Sequence, residues 1–368
     1  MIKLDNIHYS TREIDGYNKA FNFIFGVREP GKTTTLWMKK IYFKWKKDKK
    51  PWIYLVRKSV EICEALINSV ADTQFNKFTD DNVKLEYNKG SFKDGITDVF
   101  VKTEEGKELI FRIISLNIDL RRIKLAVLKN IGGILFDEYI IDPKTKEKYL
   151  PNEAFKIKEA YTTWRREADG ILKMYFLANP YSLYNPMFID WKVDLSKLKL
   201  GEFYVGSNFV IHWCKLNPKL YEKLKKENPL YEEGSEYELY ALKGAVKNDR
   251  NIPLGTLPEN YSLKFIFKIE DYFLGIFRNN NYTDDNQFFA KKLLNIGKYR
   301  DVYCFEFEDM ISRTQILTIE DRMKMQRLKY AIQMNKIKFE SINDYYLTLE
   351  VYKNLWQVML FYIIIQIF

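Results

Sequence analysis

Residues 26–33 read Gly26-Val27-Arg28-Glu29-Pro30-Gly31-Lys32-Thr33, a G-x-x-x-x-G-K-T phosphate-binding loop that follows an apolar run and precedes a helix-compatible one. Gly26 and Gly31 let the backbone turn tightly and approach phosphate oxygens with no side chain in the way. The backbone N–H groups that follow, at the start of the next helix, then point at the anion. Lys32 supplies a cation for the β- and γ-phosphates, and the Thr33 hydroxyl is a hard oxygen ligand for Mg²⁺. With Thr34, these residues form the expected binding set for ATP and Mg²⁺. Arg28, inside the loop, reads either as a γ-phosphate sensor or as a solvent-facing loop residue.

Hydrolysis needs a metal-holding carboxylate and a base for water. Ile134-Leu135-Phe136-Asp137-Glu138 supplies both about 105 residues after Lys32. The apolar strand carries Asp137 to the carboxyl edge of a sheet, where it can hold the Mg²⁺ shell, and Glu138 can take a proton from the attacking water. An Asp-Glu pair in this place marks the additional-strand class of P-loop ATPases. A second apolar strand ends at Asn179, which can hydrogen-bond the lytic water or serve as a turn residue before Pro180. Arg165 and Arg166 close the helix after the Asp-Glu pair. Either could reach a neighbouring subunit's γ-phosphate as an arginine finger, or simply complement the helix dipole. Arg57 and Lys58 end another strand on the catalytic edge and are further candidates for action in trans.

These residues require a scaffold that brings several strand ends together. Near-continuous apolar runs at Phe21–Phe25, Trp52–Val56, Ile110–Leu116, Gly133–Phe136 and Leu172–Ala178 predict buried parallel strands. Helical patterns lie between them at Thr33–Lys47, Ser59–Thr73 and Asn152–Arg166, with a hairpin-like insertion over Thr79–Leu109. The expected fold is α/β: a P-loop ATPase domain over 1–210, a small helical linker or lid over 211–251, and a C-terminal α+β domain over 252–368. In the last, a hairpin is expected at Ser262–Ile269 and Tyr272–Phe277, a strand at Val302–Phe307, and one long helix over Ile319–Ile337.

Composition sets the outer bounds. The chain has 368 residues, 46% hydrophobic and 29% charged, as in a globular protein, and a net charge of +10 that favours a polyanionic partner such as nucleic acid. The basic run Lys39, Lys40, Lys44, Lys46, Lys47, Lys49 and Lys50 could touch a phosphate backbone, but a solvated helix face is the better reading. Cys63, Cys214 and Cys304 are widely spaced, which suits buried free thiols in a reducing compartment. Two histidines, His8 and His212, make a histidine-rich metal site improbable. The apolar segment Leu355–Phe368 is too short for a comfortable membrane span and reads as a docking element.

At this point the chain resembles the DNA-packaging ATPases of small tailed phages of the phi-29 type. The resemblance rests on the arginine-containing P-loop, Ile134-Leu135-Phe136-Asp137-Glu138-Tyr139, Tyr149-Leu150-Pro151-Asn152-Glu153, Trp164-Arg165, and Leu177-Ala178-Asn179 with Asn185-Pro186-Met187-Phe188. It extends through Glu233-Gly234-Ser235-Glu236-Tyr237 and the opening of the last domain, covering roughly residues 18–280. Glu29 and Pro30 depart from the family's more permissive loop. The resemblance implies a homopentameric ring that translocates double-stranded DNA at the portal vertex of an empty capsid in the host cytoplasm, with or without a packaging RNA. It also implies Arg165 as the finger and a last domain like an RNase H-type nuclease that has lost its metal-binding acids. Asp271, Asp284 and Asp285 are the nearest acids there, and hairpin turns explain them. A ring helicase or chromosome-type translocase is the alternative within the same class. A P-loop nucleotide kinase and a non-enzymatic nucleotide switch are the others.

Overall fold

The computed structural model describes residues 7–355 apart from 105, 143–146, 148, 151, 182–185, 192, 194, 196–197, 245–251, 270–271, 282–286, 299–301, 306, 334–335, 342 and 353. The chain divides into two compact units, 1–248 and 249–368.

The first unit is built on nine strands: β1 Phe21–Gly26, β2 Trp52–Val56, β3 Leu85–Tyr87, β4 Ile96–Thr103, β5 Gly106–Ser115, β6 Gly133–Asp137, β7 Met174–Ala178, β8 Phe203–Val205 and β9 Phe209–Cys214. Their order is β3-β4-β5-β2-β6-β7-β1-β9-β8. The six strands from β5 to β9 are mutually parallel, and β3, β4 and β8 add antiparallel edges. β7 stands between the P-loop strand β1 and the Asp137 strand β6, the additional-strand arrangement.

Period-2 side chains explain why both faces are covered. Phe21, Phe23 and Phe25 of β1, with Ile134 and Phe136 of β6, face the helix Glu153–Trp164. Ile24, Tyr54, Leu135 and Leu177 face the other layer. There the P-loop helix runs from Lys32–Thr35 through a wide, π-type stretch Leu36–Tyr42 to Phe43–Asp48, burying Trp37, Met38, Ile41 and Trp45. Four lysines of the basic run along this helix and just past its end form ion pairs: Lys40 with Asp15, Lys46 with Asp81, Lys49 with Glu108 and Lys50 with Asp169.

Two local expectations change. The helix expected over 59–73 is broken at Ile62 and Cys63, both extended, into a turn Ser59–Glu61 and the helical stretches Glu64–Ser69 and Val70–Asn76. The linker expected from residue 211 begins later, because Phe209–Cys214 pairs in register with β1 as a central strand. Helices Pro218–Glu227 and Glu236–Ala241 follow and belong to the first unit.

The second unit holds β10 Tyr261–Ile269, β11 Tyr272–Asn279, β12 Phe288–Leu293, β13 Val302–Cys304, β14 Thr314–Ile316 and β15 Ile337–Phe339, in the order β14-β13-β10-β11-β12-β15. β10, β11 and β12 form an antiparallel meander, and β13 and β14 extend it in parallel. This is the α+β arrangement that the nuclease-like resemblance implied. The expected single helix over 319–337 is instead two, Ile319–Lys324 and Gln326–Gln333, and residues from Ile337 turn into β15. The break falls at Met325, which is buried and whose amide bonds back to Asp321 and Arg322 carbonyls, closing the first helix.

Candidate active site

The P-loop leaves the carboxyl end of β1 at Gly26, whose φ is +132° and where a Cβ would lie 2.3 Å from the Cys214 carbonyl of β9. Gly31, at φ +84°, starts the P-loop helix. Both positions demand glycine for backbone reasons before any ligand is considered. The Lys32 side chain is 6% exposed, and its Nζ donates to the carbonyls of Val27 at 2.6 Å and Gly26 at 3.3 Å. Burial lowers its pKa. A buried ammonium resting on its own loop's carbonyls is positioned to exchange them for phosphate oxygens.

Across the loop, the Thr33 hydroxyl donates to Asp137 Oδ2 at 3.0 Å. Burial, reinforced by Glu138, pushes the Asp137 carboxyl up to about 6. A desolvated carboxylate beside a hydroxyl is a donor set short of a cation, and hard oxygens of this kind suit Mg²⁺. Glu138 takes a left-handed backbone at φ +56°, a conformation that costs about 1–3 kcal/mol away from glycine. Its amide bonds to Asp137 Oδ1 at 2.9 Å, and the next amide, Tyr139, bonds to the Leu177 carbonyl of β7 at 3.1 Å. Glu138 and Asp137 line a cavity of about 540 Å³ with Tyr54, Lys58 and Tyr181. Asn179 follows the last residue of β7, between the ends of β6 and β1, and is half-buried. Sheet order thus gathers Gly26, Gly31, Lys32, Thr33, Thr34, Asp137, Glu138 and Asn179 at one edge.

Arg28 is held by the helical segment after β9. Its amide bonds to the Ala241 carbonyl at 2.7 Å, its Nη1 to the Tyr237 hydroxyl at 3.2 Å, and its guanidinium lies 5.8 Å from the Tyr240 ring centre. Glu29 accepts a hydrogen bond from the Tyr231 hydroxyl. Sequence reasoning missed these aromatic partners, about 200 residues away. It also missed the strap at the N-terminus: the Tyr9 amide bonds to the Pro30 carbonyl at 2.7 Å, and His8 packs on Gly31. An aromatic pair upstream of the loop was the available signal.

Arg57, a candidate for action in trans, lines the Glu138 cavity and is engaged within its own chain. It is 7% exposed and forms a two-pronged pair with Glu153, itself 2% exposed, at 2.9 and 3.1 Å. Its remaining donors go to backbone carbonyls of its own chain. The reason is topological: β2 neighbours β6, so Arg57 ends beside the Glu138 turn and the start of the Glu153–Trp164 helix. Lys58 lines the Glu138 cavity.

Arg165 and Arg166 are exposed in a single turn, Arg165–Glu167, that ends this helix. They line a cavity of about 940 Å³ with Lys19, Phe21, Trp191 and Asn208. Phe21 and Gly26 are opposite ends of the six-residue β1, roughly 17 Å apart at strand rise. Arg165 therefore lies at the edge of the sheet remote from its own P-loop, because a crossover helix returns the chain to where strands begin.

In the second unit, Asp271, Asp284 and Asp285 lie outside the described residues, as does the segment 356–368. Among the described residues no group of three or more His, Cys, Asp and Glu side chains could hold a metal ion, and no helix is long and apolar enough to cross a membrane.

The glycine loop, Thr33–Asp137 contact, Glu138 and intervening strand define a P-loop ATPase fold of the additional-strand class. No protein-family model and no curated protein matches the sequence significantly. Solved structures do match. The bacteriophage Phi-29 viral genome packaging motor assembly is 18% identical, aligned over 95% of this chain and 100% of that one with a TM-score of 0.63. The Phi-28 gp11 DNA packaging motor is 15% identical over 95% and 98%, with a TM-score of 0.56. The chain thus has, over nearly its whole length, the fold of phage DNA-packaging motor ATPases.

Proposed function

We propose that this protein is the ATPase of a viral genome-packaging motor, hydrolysing ATP to drive double-stranded DNA into a preformed capsid. The observation that carries the chemistry is the part-buried Thr33–Asp137 contact beside Glu138, at the mouth of a loop whose Lys32 is turned inward. The whole-chain likeness in fold to packaging motors supports the biological setting.

In this reading Lys32 leaves the Val27 carbonyl for the β- and γ-phosphate oxygens, while the loop amides and Thr34 cradle them. Thr33 and Asp137 would hold Mg²⁺, which when bound neutralises charge on the phosphates. Glu138 accepts the proton of the attacking water, and Asn179 orients that water. Arg165, too far from its own nucleotide, serves a neighbour's, with Arg166 beside it, so turnover requires a homo-oligomeric ring, proposed as a pentamer. The ring works in the host cytoplasm at the portal vertex, gripping DNA through phosphates without reading bases, with or without a packaging RNA. The second unit is proposed to dock DNA, RNA or capsid and to lack nuclease activity.

The test is the ATPase rate of the full chain alone, with double-stranded DNA, and with DNA and empty capsids. Stimulation by both supports packaging. Capsid-independent strand separation would move the protein to the helicases, and phosphoryl transfer to a nucleotide would make it a kinase.

A further inference from the structure

We propose that Arg57 and Glu153 are positioning residues that aim the Glu138 carboxylate, an inference that rests on ATP hydrolysis at this site. Arg57 follows β2, and Glu153 is the first residue of the helix Glu153–Trp164. The guanidinium spends Nε and Nη2 on the two Glu153 oxygens, at 2.9 and 3.1 Å. It spends Nη1 on the Glu138 carbonyl at 3.3 Å and Nη2 again on the Tyr139 carbonyl at 3.0 Å. Those carbonyls belong to the two peptides on either side of Tyr139, the residue that follows the left-handed Glu138 backbone. With the Glu138 and Tyr139 amides also bonded, the turn is fixed from both sides. Only the side-chain torsions of Glu138 remain free.

Glu153 is anchored in turn, since its Oε2 also accepts the Leu150 amide at 3.0 Å. Rings of Phe136 and Tyr149 stand 5.2 and 5.3 Å from the guanidinium carbon. Stability alone does not call for this arrangement, because a well-packed apolar pair can replace a buried ion pair without loss. A planar fork reaching a carboxylate and two carbonyls at once is what arginine offers and lysine does not. Catalytic geometry is sensitive at this scale: a base displaced by about 1 Å can cost about 10²-fold in rate.

Arg57→Lys and Glu153→Gln test the proposal in the full chain, with Glu138→Gln as reference. Single-turnover hydrolysis is divided by the number of nucleotide-binding sites, so misfolded protein does not count. The expected result is a rate per site lowered up to about 10²-fold, with ATP affinity unchanged. Glu153→Gln carries the test if Arg57→Lys does not fold. Mixing Arg57→Lys with Glu138→Gln subunits should give no rescue, since both defects sit in one subunit's half of the site. Wild-type turnover per site in both variants overturns the brace alone, provided Glu138→Gln is inactive. Rescue on mixing also overturns it, because Arg57 would then act across the interface. Full activity of Glu138→Gln would remove Glu138 as the base and the brace with it, whereas wild-type protein that binds ATP and does not hydrolyse it would sink the hydrolytic reading.

Discussion

In the proposed mechanism Lys32 and Glu138 divide the work of the site, and their surroundings suggest a test of that division. Lys32 is buried on loop carbonyls and is the proposed partner of the anion, so Lys32→Ala should abolish productive ATP binding. Glu138 reaches the cavity from a turn fixed by backbone bonds, so Glu138→Gln should bind ATP normally and trap it unhydrolysed. Equilibrium binding of a fluorescent ATP analogue separates the two, and equal loss of affinity in both would refute the division. These residues were legible in the sequence because a P-loop is a local covalent pattern and an acid pair after an apolar strand has one place to go. Arg57 was not legible. Its proposed role depends on Glu153, in a helix reached only after four further strands, and on carbonyls that leave no trace in side-chain identity. Position at the catalytic edge was readable from sequence, whereas burial was not. Removing one partner of such a pair typically costs about 3–5 kcal/mol, so Arg57→Ala should lower the unfolding midpoint in urea as well as the rate.

Strands were readable for a simpler reason: runs covered on both faces need apolar residues throughout, and β1, β2, β6 and β7 fall where those runs lie. β9 escaped because His212 and Trp213 interrupt its pattern at a position that pairs with β1 and is only half-buried. His212 shares a 3.0 Å hydrogen bond with the Tyr9 hydroxyl and stacks on Phe203, 4.0 Å between ring centres. Burial, helped by Lys215, lowers its pKa to about 4. The unfolded chain would protonate it near 6.5, so between these values the unfolded state binds more protons. Stability is then full above about 6.5 and falls with pH toward 4. At pH 5 the loss should be about 1–2 kcal/mol, and His212→Phe should flatten that limb of a denaturant-midpoint profile. An unchanged limb would place the acid sensitivity elsewhere. Gly26→Ala tests the same β1–β9 seam sterically. A methyl group 2.3 Å from the Cys214 carbonyl, at a left-handed φ, should cost about 3 kcal/mol and displace the loop, lowering both thermal stability and nucleotide binding.

At the scale of the whole molecule, one geometric fact constrains how the proposed ATPase would turn over. The helix Glu153–Trp164 begins beside Glu138 and, twelve residues later, delivers Arg165 to the opposite edge of the sheet, exposed and lining a cavity with the first residue of β1. No rotamer of Arg165 spans the roughly 17 Å length of that strand to its own P-loop, so a catalytic Arg165 must work on another subunit's nucleotide. Arg165→Ala should therefore leave ATP binding by an isolated subunit intact and sharply reduce turnover of the assembled ring, by the order of 10³-fold where a finger has full effect. Mixing Arg165→Ala with Glu138→Gln protein should restore part of the activity. In mixed rings some interfaces join an intact Glu138 to an intact Arg165, although each subunit is defective by itself. A helix-dipole role predicts a different outcome: about 0.3–1 kcal/mol of lost stability, near-normal turnover and nothing to rescue. Arg166, in the same exposed turn, is the control. If Arg165→Ala is silent and Arg166→Ala complements Glu138→Gln, the finger has moved by one residue; if neither complements, the nucleotide is not completed across an interface at this edge.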